Sequence, residues 1–481
     1  MQKYQMYIDG QFVDFPADVA VYNPSTLETL SYIPHGTRQH VEQALKAAQK
    51  AQVAWEKVPA VERGVYLHKV ADKIREKAQF LAETITKEQG KLIDLAMVEV
   101  NFTADYLDYM AEWARRYEGE IIQSDRPNEM MFLHKLPIGV ISGILPWNFP
   151  FFLIARKFAP ALITGNTIVI KPSSETPNNA FEFAKIVDEI GLPKGVFNLV
   201  SGSGREVGNE LSSNPIVGMV SLTGSVEAGT KVMEAAAKNV IKVNLELGGK
   251  APAIVCKDAD LDAAVEHIKN SRIINNGQVC NCAERVYVHS SVYQEFCDKM
   301  TKAMASVTLG DPLTEKVDMG PLVNKAGVEN VQRLVDSAVK AGAKLLVGGK
   351  PSDRGELFYP ATVLADCTQD MEIIQQEIFG PVLPIMPFDT LDQAIEYAND
   401  SEYGLTSSIY TQNLDVAMRA SREIKFGETY INRENFEAMQ GFHAGFRKSG
   451  IGGADGKHGL EEFLQTKVVY LQYNTDAHNE R

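Results

Sequence analysis

From about residue 165 onward, short β-branched runs alternate with stretches of helical spacing. This alternation restricts the fold more than any other property of the chain. Thr167-Ile168-Val169-Ile170, Val196-Phe197-Asn198-Leu199-Val200 and Met219-Val220-Ser221-Leu222 read as strands. Helical stretches follow them at 178–190, near 205–212 and at about 227–238. A second series begins near Ala251. Its strands are Ala253-Ile254-Val255-Cys256 and Arg285-Val286-Tyr287-Val288, its helices span 260–275 and 291–305, and it continues to Tyr430-Ile431-Asn432. A parallel pair of strands needs a long crossover, and a helix supplies it. The expected class is therefore α/β, with a Rossmann-like parallel sheet and a second α/β unit.

Other segments lie outside these series. Asp9-Gly10 between apolar runs predicts a hairpin. Residues 38–117 read as helices, with Val41, Leu45 and Ala48, and later Tyr106, Met110 and Trp113, at helical spacing. Residues 119–138 are extended in character around a polar turn at Asp125-Arg126-Pro127-Asn128, and Thr466–Leu471 reads as a final strand. The stretch Leu136–Ala155 carries no charge and has the length of a membrane span, but it contains Pro137, Pro146 and Pro150. Prolines so placed break a helix, so the expectation there is a buried strand, a functional turn and then a helix.

The chain has 48 Lys and Arg against 62 Asp and Glu, a formal charge of −14. That balance argues against nucleic acid and against an anionic membrane surface as partners. The N-terminus lacks the apolar core of a signal peptide. Five cysteines, an odd number without a repeated framework, suit free thiols in a reducing cytoplasm. Cys280-x-Cys282 lacks the further ligands a zinc site needs, so no metal is expected.

Three turns carry chemistry. Asn276-Gly277-Gln278-Val279-Cys280-Asn281-Cys282 offers a thiol, Glu246-Leu247-Gly248-Gly249-Lys250 a carboxylate, and Pro146-Trp147-Asn148-Phe149-Pro150 a side-chain amide. A thiol, a base and an amide donor together can attack a carbonyl, hold its oxyanion and release an acyl group. Each alone has a plainer explanation: a buried cysteine, a Glu paired with Lys250 on a surface turn, an Asn in a proline-flanked turn. Gly202-Ser203-Gly204-Arg205-Glu206-Val207-Gly208 follows a strand, yet it is one residue too long for the dinucleotide fingerprint.

These motifs, with Lys171-Pro172, Gly224-Ser225-Val226-Glu227-Ala228-Gly229, Glu377-Ile378-Phe379-Gly380-Pro381 and Lys448-Ser449-Gly450, resemble those of the NAD(P)-dependent aldehyde dehydrogenase superfamily, in order and over nearly the whole chain. The resemblance implies Cys280 as nucleophile, Glu246 as general base and Asn148 as oxyanion donor. It implies cofactor contacts from Trp147, Lys171, Ser174, Gly224, Ser225, Gly229, Glu377 and Phe379, with pyrophosphate at Gly224–Gly229. NAD is the implied cofactor. Many NAD-preferring members carry Glu where this chain has Ser174, which leaves NADP open. The implied organisation is a cofactor domain of residues 1–118 and 139–248, a catalytic domain of 249–448, and a small β oligomerisation arm of 119–138 and 464–481. A homo-oligomer, tetramer or dimer, goes with that arm.

Substrate choice rests on Phe149, Arg156, Asn281, Glu437 and His443, which fall on family tunnel positions. A helix from Pro150 would put Phe149, Leu153 and Arg156 on one face. A tunnel of this polarity suits a small aldehyde bearing hydroxyl groups, since its donors and acceptors would otherwise go unpaired. Within the family the resemblance is to members that oxidise lactaldehyde and glycolaldehyde. Three alternatives stay open: a semialdehyde dehydrogenase in which Arg156 grips a carboxylate, a non-catalytic NAD-binding protein, and a thiol esterase.

Overall fold

Both series of strands become sheets, and their winding decides where reactive side chains can gather. The computed structural model describes residues 1–474, so 475–481 of the expected arm lie outside the described residues. The centre of the first sheet is parallel. Its spatial order is Lys242–Glu246, Val217–Thr223, Val140–Ile144, Thr167–Lys171 and Phe197–Leu199. Val140–Ile144 comes first in the chain yet lies in the middle. The connections therefore leave it in opposite directions and open a crevice at its carboxyl end, the place where such sheets bind ligands. All five residues of Thr167–Lys171 are buried, as a strand covered on both faces requires.

Antiparallel strands close the two edges of this sheet. Gly450–Ile451 pairs with Lys242–Glu246 on one side. On the other, the hairpin of Met6–Ile8 and Gln11–Val13 turns at Asp9 (φ 52°) and Gly10 (φ 72°). Two successive positive φ values match the right-handed twist of the flanking strands. The uncharged stretch resolves as expected. Glu129–Pro137 ends at its proline, Val140–Ile144 is buried strand, and Pro146 and Pro150 bracket a turn before the helix Phe152–Ile163. That helix starts two residues later than Pro150, but Leu153 N–H already donates to the Phe149 carbonyl, so the anticipated face survives. Among the described residues no helix is long and apolar enough to cross a membrane.

The second sheet runs Lys344–Val347, Thr362–Ala365, Val382–Phe388, Ala283–His289, Ala251–Val255, Thr406–Tyr410 and Glu428–Ile431, parallel except for the first pair. The amino ends of its strands meet the carboxyl ends of the first sheet at the cavity: the loops ahead of Ala283 and Val382 reach it together with those after Ile144 and Thr223. A third sheet stands apart: Leu464–Gln472 pairs along its whole length with Glu129–Pro137, which also pairs with Glu120–Gln123. Its outer residues Ile121, Tyr470 and Leu471 are exposed.

Candidate active site

The turn carrying Asn148 is held from beneath by a pair of charges. Lys91 and Glu99, both fully buried, meet at 2.5 Å. Lys91 Nζ donates to the Asn148 carbonyl at 2.8 Å and sits 3.6 Å from the Phe149 ring centroid. Glu99 Oε1 accepts from the Phe151 and Phe152 amides at 2.9 and 3.1 Å, satisfying donors at the amino end of helix Phe152–Ile163. Asn275 adds a second donor to the Asn148 carbonyl. The Asn148 side chain gives one N–H to the Gln278 carbonyl at 3.0 Å, which leaves its other N–H for a ligand.

Cys280 lies half-buried on the loop ahead of Ala283–His289. Its backbone N–H has no acceptor among the described residues. The closeness of this loop to the first sheet depends on two missing side chains. A Cβ at Gly249 would stand 2.2 Å from the Cys280 carbonyl oxygen, and one at Gly248 would stand 2.5 Å from the Glu377 carboxylate. The two glycines therefore serve contacts within the chain. Burial pushes the Cys280 thiol up, and His443 opposes that push. Cys282 is buried, and its thiol faces the Val279 carbonyl.

Glu246 ends strand Lys242–Glu246 in buried surroundings, and its partner is not Lys250, which pairs with Glu284 at 2.8 Å. Glu246 accepts from the Thr223 hydroxyl at 2.9 Å, and Thr223 accepts from Lys157 at 3.0 Å. Burial alone would raise the Glu246 carboxyl. Arg156, Lys157 and His443, with the Thr223 hydroxyl, outweigh it and hold the group below its ordinary value. Burial lowers Lys157 to about 8.

Arg156 lines the cavity, but its guanidinium is already committed. Nε and Nη2 grip Asp455 at 3.0 and 2.5 Å, Nη2 also reaches Glu437 at 3.1 Å, and Nη1 is 3.8 Å from Glu246. Glu437 also accepts from the Asn281 amide. Burial raises Asp455 to about 6; Arg156 and His443 pull it down, and Glu246 and Glu437 add to the rise.

On the opposite wall, Trp147 and Phe379 meet edge to face at 5.4 Å. Gly224 and Ser225 line the same cavity of about 370 Å³. Ser225 caps the helix Val226–Ala237 through the Ala228 amide, so the amino end of that helix opens on the cavity, where an anion is favoured. Lys171, at the carboxyl end of its strand, is buried with the Pro172 carbonyl as its bond, and burial lowers it to about 8. A buried ammonium with donors to spare fits a sugar hydroxyl partner. Glu377 accepts from the Gly249 amide at 2.7 Å, and burial beside Glu284 raises it to about 8. Aromatic slot, helix end, ammonium and carboxyl together fit a nicotinamide dinucleotide. Among the described residues no group of three or more His, Cys, Asp and Glu is placed to hold a metal ion.

Residues 13–469 match the aldehyde dehydrogenase family model. The chain belongs to the aldehyde dehydrogenase family. It is 62% identical to lactaldehyde dehydrogenase of Escherichia coli, over 98% of this chain and 99% of that one. The crystal structure of the E. coli protein superimposes with a TM-score of 0.97, covering 98% and 99% of the two chains. A 3,6-anhydro-alpha-L-galactose dehydrogenase of Vibrio is 45% identical over 98% of this chain and 100% of its own. This chain is thus an NAD(P)-dependent aldehyde dehydrogenase.

Of the residues singled out in the sequence, Trp147, Asn148, Phe149, Arg156, Gly224, Ser225, Glu246, Cys280, Asn281, Glu377, Phe379, Glu437 and His443 line one cavity of this aldehyde dehydrogenase. Lys171, Ser174 and Gly229 do not line it. Ser174 is exposed, and the neighbouring Glu175 carboxylate accepts from Asn324 at 3.1 Å. Gly229 lies where a Cβ would strike Leu247 at 2.6 Å, so its small size lets helix Val226–Ala237 pack against the residue that follows strand Lys242–Glu246. The loop Gly202–Gly208 folds onto its own chain, with Ser203 capping the Glu206 amide, and stays outside the cavity. Sequence reasoning missed Lys91, Glu99, Lys157, Asp455 and Glu428, whose Oε1 meets His443 Nδ1 at 2.6 Å. Glu99 had left a signal: it interrupts the apolar stripe Ala96, Val100, Leu107 of helix Ile93–Ala111, and a carboxylate on such a stripe demands a partner.

Proposed function

We propose that this aldehyde dehydrogenase oxidises short 2-hydroxyaldehydes, of the lactaldehyde and glycolaldehyde kind, to their acids. The observation that carries the reading is the polar end of the cavity. There Arg156, Asn281, Glu437 and His443 surround the space beside Cys280, while Phe149, Phe152 and Leu153 form an apolar wall. These groups already bond one another, and a hydroxyl group beside the carbonyl can join that polar ring where an alkyl chain could not. The relatives whose names specify lactaldehyde and an anhydrogalactose support it. The semialdehyde alternative is disfavoured. Three carboxylates already surround Arg156, and a fourth on the substrate would meet Glu437 as well.

Cys280 attacks the aldehyde carbon to form a thiohemiacetal, and its sulfur later carries the acyl group as a thioester. The free N–H of Asn148 and the Cys280 amide hold the oxyanion. NAD(P), when bound, accepts the hydride. Trp147, Lys171, Gly224, Ser225, Glu377 and Phe379 are the residues that would hold it. Glu246, ionised and bonded to Thr223, takes a proton from the water that hydrolyses the thioester. NAD is the proposed cofactor. NADP is the second candidate, because Ser174 sets no carboxylate against a 2′-phosphate and Glu175 is engaged with Asn324. The proposed division is a cofactor domain of 1–118 and 139–248, a catalytic domain of 249–448 and an arm of 119–138 and 464–481. The exposed apolar side chains of the third sheet support a homo-oligomer. The charge balance and free thiols support a cytoplasmic site of action.

The test is reduced-nicotinamide formation from lactaldehyde, glycolaldehyde, succinate semialdehyde and a long aliphatic aldehyde, each with NAD and NADP. Preference for the two hydroxyaldehydes is expected. Preference for succinate semialdehyde would overturn the substrate reading. Cys280→Ala should abolish turnover while NAD still binds; retained turnover would refute the covalent route.

A further inference from the structure

Two N–H groups that converge on one oxygen must be held at a fixed spacing, and here they come from different loops. The Asn148 amide is on the turn that follows Val140–Ile144, and the Cys280 N–H is on the loop ahead of Ala283–His289. Asn275 bonds both pieces of chain. Its Nδ2 donates to the Asn148 carbonyl at 3.0 Å and reaches the Gln278 carbonyl at 3.4 Å. The Gln278 carbonyl also accepts from the Asn148 side chain, at 3.0 Å. Asn275 is 4% exposed. Both oxygens are carbonyls, which only accept, so the NH2 end of its amide must face them.

The backbone brings this side chain into place through an unusual turn. Asn275, Asn276 and Gly277 have φ of 48°, 60° and 76°, three left-handed residues in a row after helix Leu261–Ile273. Glycine enters that region freely, and asparagine is among the few other residues that visit it. A glycine at 275 would fit the turn with less strain; asparagine adds the amide. Neighbouring side chains bond elsewhere. Asn276 Nδ2 donates to the Pro321 carbonyl at 2.7 Å, its Oδ1 accepts from the Gly320 amide at 2.8 Å, and Gln278 Oε1 accepts from the Val323 amide at 2.9 Å. These bonds seat the turn on segment 320–323. Lys91 meets the Asn148 carbonyl too, but its other contacts, Glu99 and the Phe149 ring, lie on the Asn148 side. Asn275 instead spans the two loops.

We propose that Asn275 is a positioning residue for the oxyanion site: its amide locks the Asn148 turn to the Cys280 loop, so that the Asn148 side chain and the Cys280 N–H point at the same oxygen. Gln278 stands two residues before Cys280, and a fixed Gln278 carbonyl fixes the run of chain that carries that N–H. Asn275 does not line the cavity and acts through those donors. The proposal rests on Asn148 and the Cys280 amide being the oxyanion donors, and it adds what keeps them in register.

The experiment compares two reactions of Cys280 in the full-length enzyme. The first is the initial burst of reduced nicotinamide from lactaldehyde and NAD, which passes through the oxyanion. The second is alkylation by iodoacetamide, in which sulfur displaces iodide from a saturated carbon and no oxyanion forms. Wild type, Asn275→Gly, Asn148→Ala and the double variant are measured, each checked by thermal unfolding. Asn275→Gly keeps the left-handed backbone and removes only the amide. It should slow the burst about tenfold, less than the loss of a donor itself, with alkylation within about twofold of wild type. Asn275→Ser, whose hydroxyl stops short of both carbonyls, replaces it if the glycine variant melts too low to assay. The double variant should fall short of the product of the two single effects, since one residue acts through the other. A wild-type burst in folded Asn275→Gly overturns the proposal. So does a parallel fall of burst and alkylation, which leaves Asn275 as packing only, and so do fully multiplicative effects. An unslowed burst in Asn148→Ala would instead sink the oxyanion reading beneath it.

Discussion

Two buried ionic networks flank Cys280, and they spend their charge differently. Behind Trp147 and Phe379, Glu284 meets Lys250 and Arg272, both at 2.8 Å. Glu284 also accepts from the Ile378 and Phe379 amides at 3.0 and 3.2 Å, while Arg272 donates to the Ala283 and Gly277 carbonyls. This network grips backbone, and so fixes the loops that carry Phe379 and Cys280. On the other wall of the cavity, Arg156, Asp455, Glu437, Glu246, His443 and Glu428 mostly grip one another's side chains. The first network is scaffold that happens to be charged. The second sets the field in which the reaction runs, and one neutralised member should retune it without unravelling a loop.

The sharpest way to break this contrast is to remove Glu284. Glu284→Ala leaves Lys250 and Arg272 buried without a counter-charge and should cost about 3–5 kcal/mol of stability, read as a lowered melting temperature with activity lost in parallel. A variant that melts like wild type would show the first network to be dispensable. Next comes Glu246→Gln in the second network. Deacylation should slow by about a hundredfold or more, while the first burst of reduced nicotinamide survives and folding is unchanged. Loss of the burst would take the base role away from Glu246.

Asp455→Asn is the milder perturbation. It frees part of the Arg156 guanidinium, and turnover of 2-hydroxyaldehydes should fall about tenfold relative to succinate semialdehyde, with little change in melting temperature. An unaltered ratio would mean that Asp455 only packs. The smallest effect concerns Lys171, which belongs to neither network. Burial lowers it from 10.5 to about 8. Between about pH 8 and pH 10.5 the unfolded chain therefore holds a proton that the folded chain has released, and the Lys171 contribution to stability rises with pH across that window. Comparing wild type with Lys171→Met across the window should show this slope in the wild type alone. Parallel curves would mean that the ammonium stays charged when folded.

Much of this was legible in the chain because it is local. Alternating runs such as Thr167–Ile170 announced the parallel sheets, and Asp9-Gly10 announced a hairpin whose φ values are those of a tight mirror-image turn. Cys280, Glu246 and Asn148 were legible because each sits in a turn marked by glycine or proline. What escaped is long-range. Asp455 meets Arg156 across 299 residues, and Lys91 reaches Asn148 across 57. Nothing beside Asp455 in the sequence says that it closes on an arginine in another element, so Arg156 was expected to serve the substrate directly. Gly229 shows the same limit. A glycine in a phosphate-type motif was credited to the ligand, but the atom it makes room for belongs to Leu247.

The contact at Gly249 has one more consequence. The thiol proposed to form the acyl bond rides on one sheet, and the carboxylate proposed to break it rides on the other. The gap between them is gauged by an absent methyl group. Gly249→Ala would work as a shim, wedging the two sheets apart by the width of one carbon. Such an enzyme should load its acyl group and then stall, a trap made by adding an atom instead of deleting a function.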